Sequence, residues 1–392
     1  MMRKLISLVG CAALCMALAA QSKAEVDGLV KIGGHLEGPV LSDSVWGHAV
    51  VNGVKTRDSY SAGSYFGSHT FIMYVSKDIN DTMSVNISPD FSNAGAGATP
   101  SLGKKLGEGL KDTGTSPTLR FYEATFNMGL PDYGVQMRAG FMSLPFIQDY
   151  GKELFWHEEQ NGGKFTLGNS WYDTGLEIYK PFEAAGVSLP LSLYIVNGNS
   201  SLNRDNNNGK SVMIHVEPEF AGVKTFASFG AGKWGDKLAL STGTVNGVVD
   251  NQFKKGFFRW SYGAAYTYKR LKARGEVAGG KWQDSLFSGA AEESDKRTFG
   301  YYGKVFYSVV PEKLTAMVHY NMYRADAAAV SPANHVIIET YKTTTLGLQY
   351  ELAPAATFIV QYDIGKWKND DVAGQEDSIK FNRALASVKV TF

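Results

Sequence analysis

The sequence predicts an all-β fold, a transmembrane barrel of sixteen antiparallel strands, and three observations support it. Many short stretches alternate apolar with polar residues, the pattern of a strand with one face in lipid and the other in water. The breaks between these stretches alternate between short and long. Aromatic residues make up 12% of the chain and 43 residues are glycine, whereas no apolar run beyond residue 24 reaches the roughly 18 residues that indicate a membrane helix.

The clearest alternating stretch runs from Phe257 to Lys269. Every even-numbered residue from Phe258 to Tyr268 is aromatic or alanine, and most odd-numbered residues are polar or small. Successive side chains of a strand point to opposite faces, so the aromatic residues share one face. This stretch therefore predicts a strand with one apolar and one polar face, as either a membrane barrel or a soluble sandwich requires.

The number of such stretches separates these two folds. Sixteen are present, and sixteen strands with both chain ends in the periplasm require seven turns and eight loops, which is the pattern of an outer-membrane barrel. The predicted strands are 26–37, 63–77, 82–91, 117–128, 133–143, 169–180, 188–197, 210–217, 222–233, 256–269, 271–280, 298–309, 313–324, 340–352, 356–366 and 380–392.

The connections predict which end of the barrel faces outward. Seven short connections, such as Pro311-Glu312-Lys313, are expected to be periplasmic turns. Eight long connections are expected to be external loops: 38–62, 92–116, 144–168, 198–209, 234–255, 281–297, 325–339 and 367–379. Aromatic rings near strand ends are expected to lie at the membrane interfaces: Tyr266, Tyr268, Phe306, Tyr307, Phe358 and Phe392.

Residues 1–24 have the three-part layout of a secretory signal peptide that is removed on export. Arg3 and Lys4 are followed by an apolar stretch and then by Ser22-Lys23-Ala24, which places small residues at a cleavage site. Residues 25–392 then form the barrel domain. Cys11 and Cys15, the only two cysteines, leave with the signal, so the sequence predicts no disulfide, no cysteine metal site and no cofactor.

The charge balance argues against a nucleic-acid partner. Three of the 39 basic residues lie in the predicted signal, which leaves 36 basic against 38 acidic residues and a net charge of about −2. An exported barrel is instead expected to contact outer-membrane lipid and lipopolysaccharide.

Several motifs resemble the phosphate-selective porins O and P. They include Glu123-Ala124-Thr125-Phe126, Leu130-Pro131 and the Tyr194-Ile195-Val196-Asn197-Gly198 segment. The resemblance implies a sixteen-stranded, usually trimeric pore whose third external loop folds inward. The chain departs from the family at His319-Tyr320-Asn321, where an Arg-Tyr-Asp run is common, and it lacks an evident ladder of Arg and Lys. We therefore do not carry phosphate selectivity over from the resemblance.

The third long connection, from about Ser143 to Gly168, is the candidate constriction of such a pore. Its excess of carboxylates would favour cations near the narrowest point, although exposed loops also carry charge simply for solubility. The candidate constriction residues are Asp149, Lys152, Glu153, His157, Glu158, Glu159 and Lys164.

The inward-facing positions of the strands supply a second set of candidates. Their charges nearly cancel. They would create a transverse field if the signs segregate to opposite walls, and little selectivity if they are scattered. The candidate pore-lining residues are Lys31, Glu123, Arg138, Glu177, Arg259, Lys272, Arg274, Glu276, Lys304, Asp363, Arg383 and Lys389.

The predicted function is passive diffusion of ions and small hydrophilic solutes through a water-filled channel. An alternative is a barrel that sheathes a periplasmic partner, such as a multihaem cytochrome, in an electron conduit across the outer membrane. An enzyme is not expected: His157-Glu158-Glu159-Gln160-Asn161 begins like a zinc-protease motif but lacks its second histidine. No Ser–His pair for a hydrolase is evident in the sequence.

Overall fold

The strands of the computed structural model follow the alternating stretches of the sequence. The structure describes residues 31–51, 54–56, 70–90, 120–146, 171–184, 187–197, 209–233, 256–282, 296–328, 336–371 and 376–391. The predicted signal peptide, 1–24, lies outside these ranges. Among the described residues, no helix is long and apolar enough to cross a membrane.

Sixteen long strands form one antiparallel sheet, as predicted. Two short strand segments accompany them: Val54–Thr56 pairs with the end of the first strand, and Glu219–Phe220 extends the eighth. The strands are β1 Lys31–Val51, β2 Thr70–Asn80, β3 Met83–Asp90, β4 Arg120–Leu130, β5 Val135–Leu144, β6 Trp171–Ala184, β7 Val187–Val196, β8 Ser211–Val216, β9 Val223–Lys233, β10 Gly256–Tyr268, β11 Leu271–Trp282, β12 Lys296–Val310, β13 Leu314–Ala328, β14 Val336–Ala353, β15 Ala356–Asp371 and β16 Glu376–Thr391.

The strand pairing closes the sheet into a ring. Each strand pairs with its neighbours in sequence, and β1 pairs on one side with β2, where Lys31 lies opposite Ser76. On its other side β1 pairs with β16 from His35–Thr391 to Val50–Ser378, with shifts in register between Pro39 and Ser44. Both edges of each of the sixteen strands are therefore paired over part of their length, which is how a sheet in lipid avoids an open edge.

The burial pattern is inverted relative to a water-soluble protein. Along β14, Thr343 and Thr345 are buried, whereas Leu346 and Leu348 are 46% and 49% exposed. On β12, Lys304 is buried between the exposed residues Gly303 and Val305. Polar residues thus face the interior and apolar residues cover the outside. This arrangement excludes the soluble sandwich, whose apolar face would lie in a core, and fits a barrel surrounded by lipid.

The turns at one end of the barrel are short, and local chemistry fixes two of them. At the β2–β3 turn the Asn80 side-chain oxygen accepts hydrogen bonds from the Thr82 backbone N–H and hydroxyl. At the β8–β9 turn Ala221 and Gly222 have φ values of 51° and 77°. Two successive positive φ values suit a tight hairpin turn whose twist matches that of its strands, and glycine tolerates such values best.

Three details of the sequence prediction are wrong. Residues 38–51 are strand rather than loop, and the last two predicted long loops, 325–339 and 367–379, are strand at 325–328, 336–339, 367–371 and 376–379. These strands continue beyond the regular alternation because pairing needs only the backbone and does not require an alternating sequence. The third detail is Phe306, which is 5% exposed and packs inside the barrel with Met317 and Ile359 rather than at a membrane interface.

Candidate functional site

The twelve predicted pore-lining residues lie at positions of the inner face. One row of paired residues runs across six strands, from Arg383 through Asp363, Thr345, His319 and Lys304 to Arg274. The other predicted positions fall in the same alternation on their strands: Glu123, Arg138, Glu177, Arg259, Lys272, Glu276 and, by backbone register, Lys31 and Lys389.

An acidic cluster lies on the inner wall formed by β4 to β7. Arg138 bridges two carboxylates: its Nε lies 2.7 Å from Glu177 Oε2 and its Nη1 lies 3.3 Å from Glu123 Oε1. The Tyr194 hydroxyl and the Ser192 hydroxyl donate to the other oxygen of Glu177 at 2.6 and 2.9 Å. These bonds fix the position of the carboxylates, and Arg138 and Glu123 keep about a quarter of their side chains exposed, at 27% and 26%.

A basic cluster lies on the inner wall formed by β10 to β12. Among the described side chains of this wall, four are basic and one, Glu276, is a carboxylate that accepts a bond from the Tyr302 hydroxyl at 3.0 Å. Each basic group lies over an aromatic ring at a distance typical of a cation–π contact. The pairs are Arg259 with Phe257 at 5.6 Å, Arg274 with Phe226 at 5.6 Å, Lys304 with Tyr302 at 5.6 Å and Lys272 with Phe306 at 5.7 Å.

The ring of Phe226 holds its place because a glycine lies opposite. Phe226 pairs with Gly263 across β9 and β10, and a Cβ added at Gly263 would lie 2.1 Å from Phe226 Cζ. The missing side chain therefore leaves the space that the ring of Phe226 occupies. Arg274 stacks on this ring, so Gly263 indirectly sets the position of one basic group.

The third long connection begins by turning into the barrel. Pro145 and Phe146, its first residues after β5, contact strands β9 and β10, which lie several strands away around the ring. The Ser228 hydroxyl donates to the Pro145 carbonyl oxygen at 2.8 Å, and the Ser261 hydroxyl donates to that of Phe146. The Phe146 ring is 1% exposed and also lies 5.8 Å from the guanidinium of Arg259.

An apolar cluster inside the barrel surrounds this turn. It joins residues of β5, β7, β8 and β10 to the ring of Phe146 and consists of Met142, Leu144, Phe146, Tyr194, Val196, Met213 and Phe257. The seven charged residues predicted for the constriction, from Asp149 to Lys164, lie outside the described residues. The observed start of the connection is thus directed inward, and the role of its charges stays a prediction.

A histidine that the sequence analysis did not single out lies beside the same turn. His215 of β8 is buried, with Nδ1 2.7 Å from Ser228 Oγ and Nε2 2.8 Å from Glu217 Oε1. A hydrolase would use such a Ser–His–Glu set, but Ser228 is 4% exposed and its hydroxyl donates to Pro145. We therefore interpret the set as a structural tie. The sequence signal was weak: His215 and Ser228 lie on adjacent strands, at inward positions.

Solved structures provide the comparison with known proteins. The outer-membrane channel DcaP of Acinetobacter baumannii matches with a TM-score of 0.58 and 13% identity over 93% of this chain and 97% of that chain. The trimer form of OmpT, an outer membrane protein of Vibrio cholerae, gives 0.55 and 13% over 93% and 99%. The fold is that of a porin barrel.

A third structure with this porin barrel is an anion-selective porin from Comamonas acidovorans, with a TM-score of 0.51 and 14% identity over 93% of this chain and 99% of that chain. No protein-family model and no curated protein matches the chain in sequence. The shared property is therefore the porin barrel itself, and the narrower resemblance to the phosphate-selective porins rests on the motifs alone.

Proposed function

We propose that the chain forms a water-filled channel in the outer membrane of a Gram-negative bacterium, for passive diffusion of ions and small hydrophilic solutes. The observation that carries the proposal is the closed ring of sixteen strands with charged residues inside and apolar residues outside. A ring of this size is too wide for its own side chains to fill, and barrels of 16 to 18 strands leave an aqueous channel.

The two charged clusters support a selectivity mechanism. Glu123 and Glu177 lie on the wall of β4 to β6, and the four basic groups lie on the wall of β10 to β12. Opposite charges on separate walls create a field across the lumen, which orients dipolar solutes and disfavours apolar ones. We therefore propose the segregated one of the two arrangements that the sequence left open.

The third connection would narrow this channel. Its first residues already turn inward, and we propose that Asp149, Lys152, Glu153, His157, Glu158, Glu159 and Lys164 set the local preference for ions. We also propose descent shared with the phosphate-selective porins, on the order of the motifs, without their phosphate selectivity. A homotrimer in contact with lipid and lipopolysaccharide is the proposed assembly, supported by the trimer form of OmpT.

Planar bilayers test the proposal. The purified protein in detergent is expected to insert and to give stepwise increases in conductance, and a salt gradient then reports the ion preference. A preparation that folds but gives no conductance at any voltage would overturn the channel. The alternative of a barrel around a multihaem cytochrome predicts instead a red protein that co-purifies and a lumen that does not conduct.

A further inference from the structure

The hydrogen bonds around His215 specify how many protons its ring carries. Ser228 has one hydroxyl hydrogen, and it lies in the bond to the Pro145 carbonyl oxygen, which can only accept. The contact between Ser228 Oγ and His215 Nδ1 at 2.7 Å therefore requires a hydrogen on Nδ1. The contact between Nε2 and the Glu217 carboxylate at 2.8 Å requires a hydrogen on Nε2. All three bonds exist together only when the imidazole is protonated.

Loss of one proton forces a choice between these bonds. A neutral ring that kept Nδ1–H would turn the lone pair of Nε2 toward the carboxylate of Glu217, which is repulsive. The neutral ring therefore keeps Nε2–H and presents Nδ1 as an acceptor. The Ser228 hydroxyl then donates to His215, and the carbonyl of Pro145 loses its bond to the wall.

From this proton count we infer that His215 is a pH-dependent latch, which fastens the start of the third connection to the barrel wall when protonated and loosens it when neutral. The inference concerns the attachment of residues 145 and 146 and does not need the barrel to conduct. The step is a proton exchange with water: Nδ1 of the ring takes up one proton, and the Ser228 hydroxyl, which keeps its hydrogen, rotates so that it donates to the Pro145 oxygen instead of to Nδ1.

Other charged groups surround the ring on the neighbouring elements. Glu217 directly follows the strand of His215 and is half exposed. On the β7 side, Ser192 lies opposite His215 and donates to Glu177 of β6. On the β9 side, Lys224 lies four residues from Ser228 and 3.9 Å from Glu219. Beyond Phe146, Arg259 of β10 lies over its ring.

The contacts of Phe146, next to Pro145, limit how far the connection loosens when the Ser228–Pro145 bond is lost. Phe146 stays in the apolar cluster, and the hydroxyl of Ser261 still holds its carbonyl. Loss of the Ser228 bond should therefore loosen the connection without releasing it. One hydrogen bond of this kind changes an equilibrium by about threefold to tenfold.

Hydrogen exchange tests the latch in the full chain. Read by mass spectrometry on peptides across 142–150 and corrected for the intrinsic rate, it is expected to show about threefold to tenfold more protection at pH 5 than at pH 8. The His215→Gln variant should show the same protection at both pH values.

The control is His319→Gln, which replaces the buried histidine of β13 that lies edge-on to Tyr302. This variant should keep the wild-type pH dependence of the hydrogen-exchange protection. If His215→Gln does not assemble, Ser228→Ala removes the latch and leaves the ring. Wild-type protection that is equal at both pH values, or a pH dependence that survives in His215→Gln, would overturn the inference. Latch-like protection in a barrel that does not conduct would instead refute only the channel.

Discussion

The Ser228 hydroxyl lies 2.8 Å from the carbonyl oxygen of Pro145, although 83 positions separate the two residues. The bond joins the end of β5 to the inner face of β9, so it crosses part of the interior rather than following the sheet. A polypeptide held in this way cannot extend freely into solvent from its first residue. The position of Pro145 and Phe146, the first residues of the third connection, is thus set by the wall that they face.

The carboxylates of the third connection should control the preference for cations. Replacing Glu153, Glu158 and Glu159 with Gln removes three negative charges from the proposed constriction and should shift the reversal potential in a salt gradient toward anions. Glu312→Gln, at an exposed turn of the opposite end, is the matched control and should leave the potential unchanged. An unaltered reversal potential in the triple variant would remove this segment from the selectivity mechanism.

The basic wall should act in the opposite direction. Replacing Lys272 and Arg274 with Gln removes two half-buried positive charges from the inner face and should raise the preference for cations. Lys269→Gln, in the exposed turn just before β11, provides the control for loss of a positive charge outside the lumen. If both variants shift the reversal potential equally, the inner wall has no special role.

Gly263→Ala should destabilise the barrel, because its Cβ would lie 2.1 Å from Phe226 Cζ and 2.7 Å from the carbonyl oxygen of Gly275. Overpacking of this kind costs about 1–3 kcal/mol. Urea unfolding in lipid vesicles measures the loss. Gly303→Ala is the matched control, since an added Cβ there meets nothing within 4 Å. Equal stabilities for the two variants would contradict the packing argument.

Arg138 and Glu177 should be coupled in stability. Arg138→Met alone leaves the buried carboxylate of Glu177 without the guanidinium that lies 2.7 Å away, whereas the double variant with Glu177→Gln removes both charges. Since Arg138 is about a quarter exposed, we expect a coupling of about 1–2 kcal/mol, below that of a fully buried pair. Additive effects in the same urea experiment would show that the two residues act independently.

Much of the fold follows from local alternation. The period of two is sufficient to assign Arg259, Glu276 and Lys304 to the inner face, because each strand contributes its own pattern. The same pattern could not extend to the strand ends beyond the membrane, where both faces meet water. The same period also assigns Phe306, two residues after Lys304, to the inner face, so its predicted place at a membrane interface went against the alternation.

The parts of the site that were missed depend on contacts between distant segments. His215 is one of seven scattered histidines, and its significance arises only when the end of β5 reaches the wall beside Ser228. Nothing within a single strand encodes that approach. Likewise, the segregation of Glu177 and Arg274 to different walls follows from strand order around the ring, which depends on how the sheet closes.

The seam between β1 and β16 has a consequence for biosynthesis. One edge of β1, the first strand to be synthesised, pairs with β16, the last strand. Until β16 is in place, the sheet therefore has two unpaired edges. Such an intermediate can pair its open edges with those of another copy. Chaperones that cover these edges until the last hairpin is in place would therefore determine the yield of folded barrel.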